Sequence, residues 1–361
     1  MSRHITPGSL SAPPPGSGAA RPADFVARTG ADPRNTTKHG VVPTTALLDG
    51  ATNDHTARAS AASGSATDPA APSCTSTRDA SPSIGTVVVI GLGLIGGSVA
   101  RDLVANGIRV IGHDRDQDTV AAAVGAGMIA GALSDDLSGA EAADVVILAT
   151  PVDQSPALLA ALAALSTSAR LIMDVGSTKR SMVDAATALG LASLFVGAHP
   201  LAGDHRWGWA ASRSNLFQGA RVYLCPTHCS DADAVALARS FWEMLGAVTV
   251  LLDATRHDAL LACSSHLPQL TATALALTLA EHGVKRMQLG SGGRDMTRLA
   301  GSSPVLWTAI TRDNAGELEA ALDSLMGKLG EMRTALRGGD RDQLLARFQA
   351  GWEWFTEAAT G

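Results

Sequence analysis

The chain has 361 residues, of which 46% are hydrophobic and 17% charged, with a formal net charge of −6 at pH 7. That length is sufficient for one large or two ordinary domains with hydrophobic cores. The negative charge disfavours nucleic acid or an acidic membrane surface as a partner, and no apolar run reaches the ~20 residues of a membrane span. We therefore expect a cytoplasmic protein without nucleic-acid or membrane partners.

The four cysteines are too few for a disulfide framework in a chain of this length. Three residues of the segment CPTHC, namely Cys225, His228 and Cys229, have the residue types of a metal site. No second pair of ligands lies nearby in the sequence, as a structural zinc site would require. We interpret them as ordinary loop residues and expect no metal.

Residues 1–83 differ in composition from the rest of the chain. They are mixtures of Ala, Ser, Pro, Gly and Thr without an apolar period, and such a segment buries too little surface to offset its ordering entropy. Its Asp residues argue against a transit peptide, and the lack of an apolar region after Met1 argues against a secretory signal. We predict a disordered tail, and a wrongly assigned start codon explains the segment equally well.

From Ile84 onward the pattern alternates between strands and helices. The β-branched run TVVVIG is typical of a strand buried on both faces, and the helix SVARDLVANG follows it with Gly107 as its C-terminal cap. Further strands are predicted at RVIGHD, ADVVILATP, RLIMDVGS, RVYLCPT and AVTVLLD. This alternation predicts an α/β fold with a Rossmann-type parallel sheet over 84–253. The β-branched runs then stop, which predicts an all-helical domain over 254–361.

The loop after the first strand has the glycine order of a dinucleotide-binding turn. Gly91 allows the tight turn, Gly93 lets the backbone approach a pyrophosphate, and Gly96 lets the helix pack close to the strand. The phosphates then lie at the helix N-terminus, where free N–H groups favour anions. The loop residues expected to contact the cofactor are Gly91, Leu92, Gly93, Leu94, Ile95 and Gly96.

An acidic residue at the end of the second strand points to NAD as the cofactor. Asp114 lies 23 residues after Gly91, where it is expected to accept hydrogen bonds from the ribose and repel a 2′-phosphate. Arg115 is a counter-argument, since an arginine there pairs with that phosphate, but Asp116 weakens it. Thr150 and Pro151 follow a strand at the carboxyl edge of the sheet, where we expect further cofactor contacts.

His199 is the candidate base. It follows the apolar run LFVGA, so it is expected at the carboxyl end of a strand, on the same edge as the glycine loop. Oxidation of an alcohol by a nicotinamide requires a group that takes the hydroxyl proton. A lone histidine at a strand end is more often structural, and the surrounding sequence decides between the two interpretations.

Five motifs occur in the order GLGLIGGS, DVGSTK, AHPLAG…GWAA…NLFQGA, SSHLPQL and GGRDMTRLAGSSPVLW. Together they resemble the prephenate/arogenate dehydrogenase family of tyrosine biosynthesis, and the resemblance covers about 84–361. It implies a Rossmann domain followed by a helical dimerisation domain. It also implies NAD-dependent oxidative decarboxylation of prephenate to 4-hydroxyphenylpyruvate, with conversion of arogenate to tyrosine as the alternative.

The resemblance also implies roles for individual residues. His199 is the hydrogen-bond acceptor or base, and Ser177 binds the same substrate hydroxyl. The alternative interpretation of Ser177 is a helix N-cap, and one serine can serve both roles. Arg298 binds a substrate carboxylate and His266 points to the substrate side chain; a satisfied core histidine is the alternative for His266. Lys179 is a further candidate for the pocket, but we favour a solvated lysine in the first turn of a helix.

Two further positions are candidate substrate contacts. Arg294 stands four residues before Arg298, so the two share a face if the segment GRDMTRLAG is helical. After HPLAG this chain has Asp204 and His205, where the family usually has Thr or Ser and then Glu. An ammonium side chain would suit Asp204 and a keto acid would suit His205 with Arg206, so this departure leaves the substrate open, and we favour prephenate.

Other functions are weighed against this one. A 4-amino-4-deoxyprephenate dehydrogenase keeps the fold and changes the substrate. A 3-hydroxyacid dehydrogenase places a catalytic Lys with an Asn four residues later on the interdomain helix, and TATALALTLAEHGVKR lacks that pair. A non-catalytic NAD-responsive module does not need His199, Ser177 and Arg298 together.

The helical domain is expected to form a homodimer. The segment ELEAALDSLMGKLGEMRTAL is amphipathic, with apolar residues at helical spacing at Leu318, Leu322, Leu325, Leu329 and Met332. A helical domain of about a hundred residues often completes its core with a second copy, and two-fold symmetry is the commonest arrangement.

Overall fold

A computed structural model describes residues 84–165, 167–203 and 206–357. The tail predicted at 1–83 lies outside these ranges. The described part of the chain forms eight strands, β1 Thr86–Ile90, β2 Arg109–His113, β3 Gly131–Ala132, β4 Val145–Leu148, β5 Leu171–Asp174, β6 Val196–Pro200, β7 Arg221–Pro226 and β8 Val248–Leu251.

The same ranges contain eleven α-helices. They are α1 Leu94–Ala105, α2 Gln117–Gly125, α3 Ser155–Ala164, α4 Arg180–Ala188, α5 Ala232–Met244, α6 Ala254–Leu261, α7 Leu267–Glu281, α8 Ser291–Thr297, α9 Pro304–Asp313, α10 Ala315–Gly338 and α11 Arg341–Glu357. Strands and helices alternate up to β8, and only helices follow it. The predicted Rossmann-type domain and helical C-terminal region are both confirmed.

Five strands form a parallel sheet in the order β3-β2-β1-β4-β5. A parallel bridge between Ile172 and Phe195 leads from β5 towards β6. β7 pairs antiparallel to β6, and β8 pairs parallel to β7. The last two strands therefore run opposite to the others. Because β6 continues the parallel direction, its carboxyl end lies at the same edge of the sheet as that of β1.

β1 is buried on both faces, as its β-branched run predicts. Val87 and Val89 belong to one hydrophobic cluster, which α1 and α5 complete, while Val88 and Ile90 belong to a second cluster completed by α3 and α4. All four side chains are fully buried. Successive side chains of a strand point to opposite faces, so a continuous apolar run requires helices on both sides.

The path from α6 to α7 is interrupted by one π-helical turn, Ala262–His266. Pro268 lies in the first turn of α7. Because proline has no N–H, it cannot bond to the carbonyl of Ser264 four residues earlier, and a π turn accommodates such an interruption. No helix within the described ranges is long and apolar enough to cross a membrane.

The glycine turn between β1 and α1 depends on close backbone packing. Gly91 has a φ of +95°, in the region that only glycine adopts easily. A Cβ at Gly96 would lie 1.9 Å from the carbonyl oxygen of Gly91, whereas a Cβ at Gly93 would meet nothing within 4 Å. At the other end of α1, Gly107 has a φ of +75° and confirms the predicted C-terminal cap.

These contacts predict opposite results for two similar substitutions. Gly96→Ala should lower the free energy of unfolding by about 3 kcal/mol or more, because its methyl group collides with backbone. Gly93→Ala is the matched control and should change the free energy of unfolding by less than about 1 kcal/mol. Urea denaturation of both variants measures the difference. Equal losses of stability would contradict the close packing of α1 on the glycine turn.

Candidate active site

A cavity of about 1270 Å³ lies between the last strands of the sheet and the helical region. Ser177, His199 and Tyr223 line it from the sheet side, while Leu261 and Trp307 line it from the helical side. The expected position of His199 at the carboxyl end of a strand is therefore also the wall of a cavity. Since both regions contribute walls, a ligand here touches both.

The charges around this cavity have one sign. Its lining includes four arginines, Arg206, Arg221, Arg286 and Arg298, and no Asp or Glu among the residues that the structure describes there. The whole chain has a net charge of −6, whereas the described charged residues of the cavity lining are positive. A cavity lined in this way concentrates anions.

His199 is buried in the wall of the cavity, with 8% of its surface exposed. Its Nδ1 lies 2.9 Å from Nε2 of His257. Burial lowers the pKa of His199 well below its ordinary value, and the neighbouring charge of Lys179 lowers it further. His199 is therefore neutral at physiological pH.

The hydrogen bonds of His257 determine which nitrogen of His199 carries a proton. Nδ1 of His257 lies 2.8 Å from Oδ1 of Asp258, and a carboxylate only accepts, so His257 donates from Nδ1. A neutral imidazole has one N–H, so Nε2 of His257 accepts from Nδ1 of His199. Nε2 of His199 is then left with a free lone pair, which is the state of a hydrogen-bond acceptor or base.

Asp258 accepts hydrogen bonds from the sheet domain in addition to the one from His257. Its Oδ1 accepts from the backbone N–H of Lys179 at 2.8 Å, and its Oδ2 from that of Arg180 at 2.9 Å. Burial acts to raise the pKa of Asp258, but the hydrogen bonds from His257 and these two amides outweigh it and hold the pKa below its usual value. A residue of α6 thus satisfies the N-terminus of α4.

Lys179 is fully buried, and the predicted solvated lysine is therefore wrong. Its Nζ forms an ion pair with Oδ2 of Asp174, the last residue of β5. Burial raises the pKa of Asp174, and the charge of Lys179 opposes that rise. A Cβ at Gly197 of β6 would lie 3.0 Å from Cδ of Lys179, so the glycine makes room for this side chain.

Ser177 lines the cavity in the turn between β5 and α4. Its alternative interpretation as a helix N-cap is wrong, because α4 begins at Arg180 and its N-cap residue is Lys179. The side chain of Lys179 makes no capping hydrogen bond. The donors that a capping serine would have satisfied bond to Asp258 instead. Ser177 is free to face a ligand.

His266 lies behind the cavity rather than on its surface. Its Nδ1 is 3.2 Å from Nδ2 of Asn314, and its ring meets Trp307 edge-on at 5.9 Å. Its Nε2 is buried without a hydrogen-bond partner among the residues that the structure describes. Burial lowers its pKa to about 4. His266 is not among the lining residues, whereas its ring partner Trp307 is. Contact between His266 and a substrate therefore remains a prediction.

Arg294 and Arg298 do not share one helical face, so that expectation is wrong. α8 ends at Thr297, and Arg298 begins a 3₁₀ turn, Arg298–Gly301. Arg298 lines the cavity. The exposed Arg294 donates from Nε to the carbonyl of Leu289 at 2.9 Å and is not among the lining residues. The predicted contact of His205 lies outside the described residues.

The turn before α1 fits a dinucleotide phosphate. The open space at Gly93 leaves room for a phosphate against the backbone. No acidic residue or side-chain cap occupies the first turn of α1, so its N–H groups remain available to an anion. Asp114 accepts from the backbone N–H of Leu92 at 2.8 Å, which connects the acidic residue to the glycine turn.

Thr150 and Pro151, which follow β4, also lie beside the glycine turn. A Cβ at Gly91 would meet the carbonyl of Ala149 at 2.5 Å and the methyl group of Thr150 at 3.0 Å. Oγ1 of Thr150 lies 2.9 Å from Oγ of Ser155. Pro151, the next residue, is half-buried. Cofactor contacts of Thr150 and Pro151 remain a prediction. The described ranges contain no cluster of His, Cys, Asp or Glu positioned to hold a metal.

Sequence reasoning missed the His257–Asp258 pair. His257 and Asp258 belong to α6, which follows β8. Because β8 runs antiparallel to β6, it ends at the edge opposite to that of His199. No local pattern therefore indicated that α6 returns these two residues to His199. Sequence reasoning also missed the arginine of β7, Arg221, and Tyr223, which lies opposite His199 in the register. A strand pairing must be known before these two residues can be placed.

A dinucleotide-binding turn and a neutral histidine facing an arginine-lined cavity are typical of a nucleotide-dependent dehydrogenase of anionic substrates. Residues 99–251 match the family model of the prephenate dehydrogenase nucleotide-binding domain, and residues 253–350 match that of the prephenate dehydrogenase dimerization domain. The boundary between the two matches coincides with the end of β8 and the start of α6.

Individual relatives agree with these matches. The chain is 34% identical to a prephenate dehydrogenase of Bacillus subtilis over 279 residues, which is 74% of this chain and 75% of the relative. Among solved structures, prephenate dehydrogenase from Aquifex aeolicus with hydroxyphenyl propionate and NAD+ is similar with a TM-score of 0.71 and 27% identity, covering 76% of this chain and 99% of that one. Arogenate dehydrogenase from Synechocystis is similar with a TM-score of 0.65 and 29% identity, with the same coverage.

The chain belongs to the prephenate dehydrogenase family. The resemblance seen in the five sequence motifs is thereby confirmed.

The contacts of Asp258 predict that it contributes strongly to stability. Asp258→Asn should lower the free energy of unfolding by about 3 kcal/mol, because one amide oxygen cannot replace the carboxylate for three buried donors. Asp253→Asn is the matched control: it is an exposed N-cap of α6 that accepts from Thr255 and Arg256, and asparagine is an equally good cap. Urea denaturation should show a loss below about 1 kcal/mol for the control, and similar losses for both would argue against the role of Asp258.

Proposed function

We propose that the chain catalyses NAD-dependent oxidative decarboxylation of prephenate to 4-hydroxyphenylpyruvate. The observation that carries the proposal is the neutral His199 with its free Nε2 beside a cavity that has four arginines and no described acidic residue. The substrate is a cyclohexadienol with two carboxylates. It requires one proton acceptor at its hydroxyl and cations at its carboxylates.

The glycine turn before α1 would hold NAD+, which would supply the hydride acceptor for C4 of the substrate ring. His199 accepts the proton of the C4 hydroxyl at Nε2, and Ser177 binds the same oxygen. As hydride and proton leave, the C4 hydroxyl becomes a carbonyl oxygen. Loss of the ring carboxylate from C1 as carbon dioxide then moves an electron pair through the ring onto that oxygen, which takes the proton back from His199 to give the phenol. The charge that His199 carries in between is stabilised through His257 by Asp258.

The charge of the cavity favours prephenate over arogenate. Both substrates carry two carboxylates, but arogenate has an ammonium group in addition. The described lining has guanidinium groups for the carboxylates, including that of Arg298, and no carboxylate for an ammonium. A planar guanidinium suits bidentate binding of a carboxylate. The similarity to arogenate dehydrogenase from Synechocystis makes arogenate the second candidate.

NAD is the proposed cofactor in preference to NADP. Asp114 is half-buried beside the glycine turn, and its carboxylate accepts from Leu92 there. A negative charge at this position binds ribose hydroxyls and repels a 2′-phosphate. Its neighbour Arg115 is exposed. The bound nucleotide of the Aquifex aeolicus relative is NAD+, which supports the same choice, and we place the reaction in the cytoplasm, where NAD is available.

The proposed division is a dinucleotide-binding domain over 84–253 and a helical substrate and dimerisation domain over 254–361. The helical part exposes a set of large apolar side chains on α10 and α11, each more than half exposed: Met326, Leu329, Leu336, Leu345, Phe348, Trp352 and Phe355. Exposed apolar side chains repeated along two helices that contact each other favour an interaction surface. A homodimer with two-fold symmetry covers it, in agreement with the matched dimerization-domain model.

The proposed reaction predicts that the purified protein reduces NAD+ in the presence of prephenate, faster than with arogenate and faster than with NADP+. His199→Asn should lower kcat by about 10²-fold or more with little change in KM, because it removes the proton acceptor. His228→Asn, an exposed histidine in the loop after β7, is the control and should retain the wild-type kcat. The absorbance of NADH follows all reactions.

The pH dependence of that assay tests the state of His199. Only the deprotonated histidine accepts a proton, so activity is lost on the acid side. Because burial lowers the pKa of His199, log kcat/KM should stay level as the pH falls through ~6.5, the ordinary histidine pKa, and decline only below it. An acid limb centred at or above that pH would contradict the buried neutral base.

The exposed apolar patch predicts the assembly. Light scattering after size-exclusion chromatography at micromolar concentration should give the mass of a dimer for the wild type. Phe348→Glu combined with Trp352→Glu should give a monomer, since both side chains lie on one face of α11. Ala350→Glu, on the opposite side of the same helix, should remain a dimer. A wild-type monomer would rule out the homodimer.

A further inference from the structure

The register of β6 and β7 places Arg221 on the same wall of the cavity as His199. His199 pairs with Tyr223, and the backbone N–H of Leu201 bonds to the carbonyl of Arg221 at 2.8 Å. Side chains two residues apart on a strand point to the same face. His199, Leu201, Arg221 and Tyr223 accordingly all line the cavity, while Val222 between the last two is fully buried in the core.

Arg221 is the diagonal neighbour of His199 across this strand pair. Diagonal residues of an antiparallel pair lie roughly 7–8 Å apart, within reach of a long side chain. Arginine is long enough to place its guanidinium beside a molecule whose hydroxyl is bound at Nε2 of His199. The distance suits a ligand that carries an anion at the far side of a six-membered ring.

The guanidinium of Arg221 has no described partner. No hydrogen bond or ion pair joins its side chain to any residue that the structure describes, and the cavity lining offers no described carboxylate. Arginine remains charged at every physiological pH and presents five donors. A permanently charged guanidinium group that faces a cavity with its donors unused complements a planar anion such as a carboxylate.

We propose that Arg221 binds one of the two carboxylates of the substrate and thereby determines specificity for a dianion. The proposal rests on the proposed function, since the substrate's two carboxylates require two cations. Arg298 approaches from the 3₁₀ turn of the helical region, and Arg221 approaches from the sheet. Two guanidinium groups from different walls hold the ring between them, with its hydroxyl against His199.

The experiment compares Arg221→Gln, Arg221→Lys and Arg109→Gln in the dimeric full chain with NAD+ and prephenate. Arg221→Gln should raise KM for prephenate by about 10- to 100-fold with little change in kcat, as loss of a charged hydrogen bond predicts. Arg221→Lys should lie between it and the wild type, because lysine keeps the charge and loses the fork. Arg109 is the matched control: it is also an exposed first residue of a strand, outside the cavity.

Inhibition by the product 4-hydroxyphenylpyruvate identifies the carboxylate. The product retains only the side-chain carboxylate, so a parallel rise in its inhibition constant assigns Arg221 to that group. A rise in KM with an unchanged inhibition constant assigns Arg221 to the ring carboxylate. Either result supports the proposal. Thermal unfolding of each variant at the wild-type temperature shows that the fold is retained.

Two results would overturn the inference. One is a KM for Arg221→Gln equal to that of the wild type, and the other is an equal rise in KM for Arg109→Gln, which would indicate a general effect of charge. Turnover by the wild type distinguishes a failure of the inference about Arg221 from a failure of the proposed function. If the wild type reduces NAD+ with prephenate while Arg221→Gln keeps its KM, only the role of Arg221 is lost.

Discussion

The carboxylate of Asp258 joins two parts of the molecule and sets the state of a third. Two of its bonds are to backbone amides at the start of α4, in the sheet domain, and one is to His257 on its own helix. The first two fix α6 against the sheet, and the last fixes the proton on His257. Because His199 bonds only to the remaining nitrogen of His257, the same carboxylate determines which nitrogen of His199 accepts.

The buried charges behind His199 keep it a weak but available base. Burial and the charge of Lys179 both lower its pKa, so it takes up protons from water poorly. A strong base is not needed where aromatisation drives the reaction and the hydroxyl loses its proton as hydride leaves. What the reaction needs is a lone pair that is free at working pH and correctly oriented. The hydrogen bonds that join His199, His257 and Asp258 keep this lone pair free and orient it.

Local sequence patterns predicted the strands, the glycine turn and the position of His199, because each depends on a few neighbouring residues. The state of Lys179 depends on distant ones. A lysine in a first helical turn is ordinarily solvated, but Asp174 at the end of β5 and the space at Gly197 on β6 bury it. Similarly, the local pattern allowed Ser177 to be a helix cap, but Asp258, 79 residues after Lys179, accepts from the amides that a cap would serve. Tertiary contacts override local preference in both cases.

The arrangement of charge explains how an acidic protein can hold an acidic ligand. Two described acids near the site, Asp174 and Asp258, lie behind His199, where a lysine, a histidine and backbone amides bind them. Their fields are therefore largely compensated before they reach the cavity, while the arginines of the lining face it directly. Net charge describes the surface of the whole chain, and it governs encounter at long range only. Inside the cavity the nearest charged groups dominate, and among the described lining residues those are guanidinium groups. The substrate's charge should therefore be read from the wall of the site rather than from the composition.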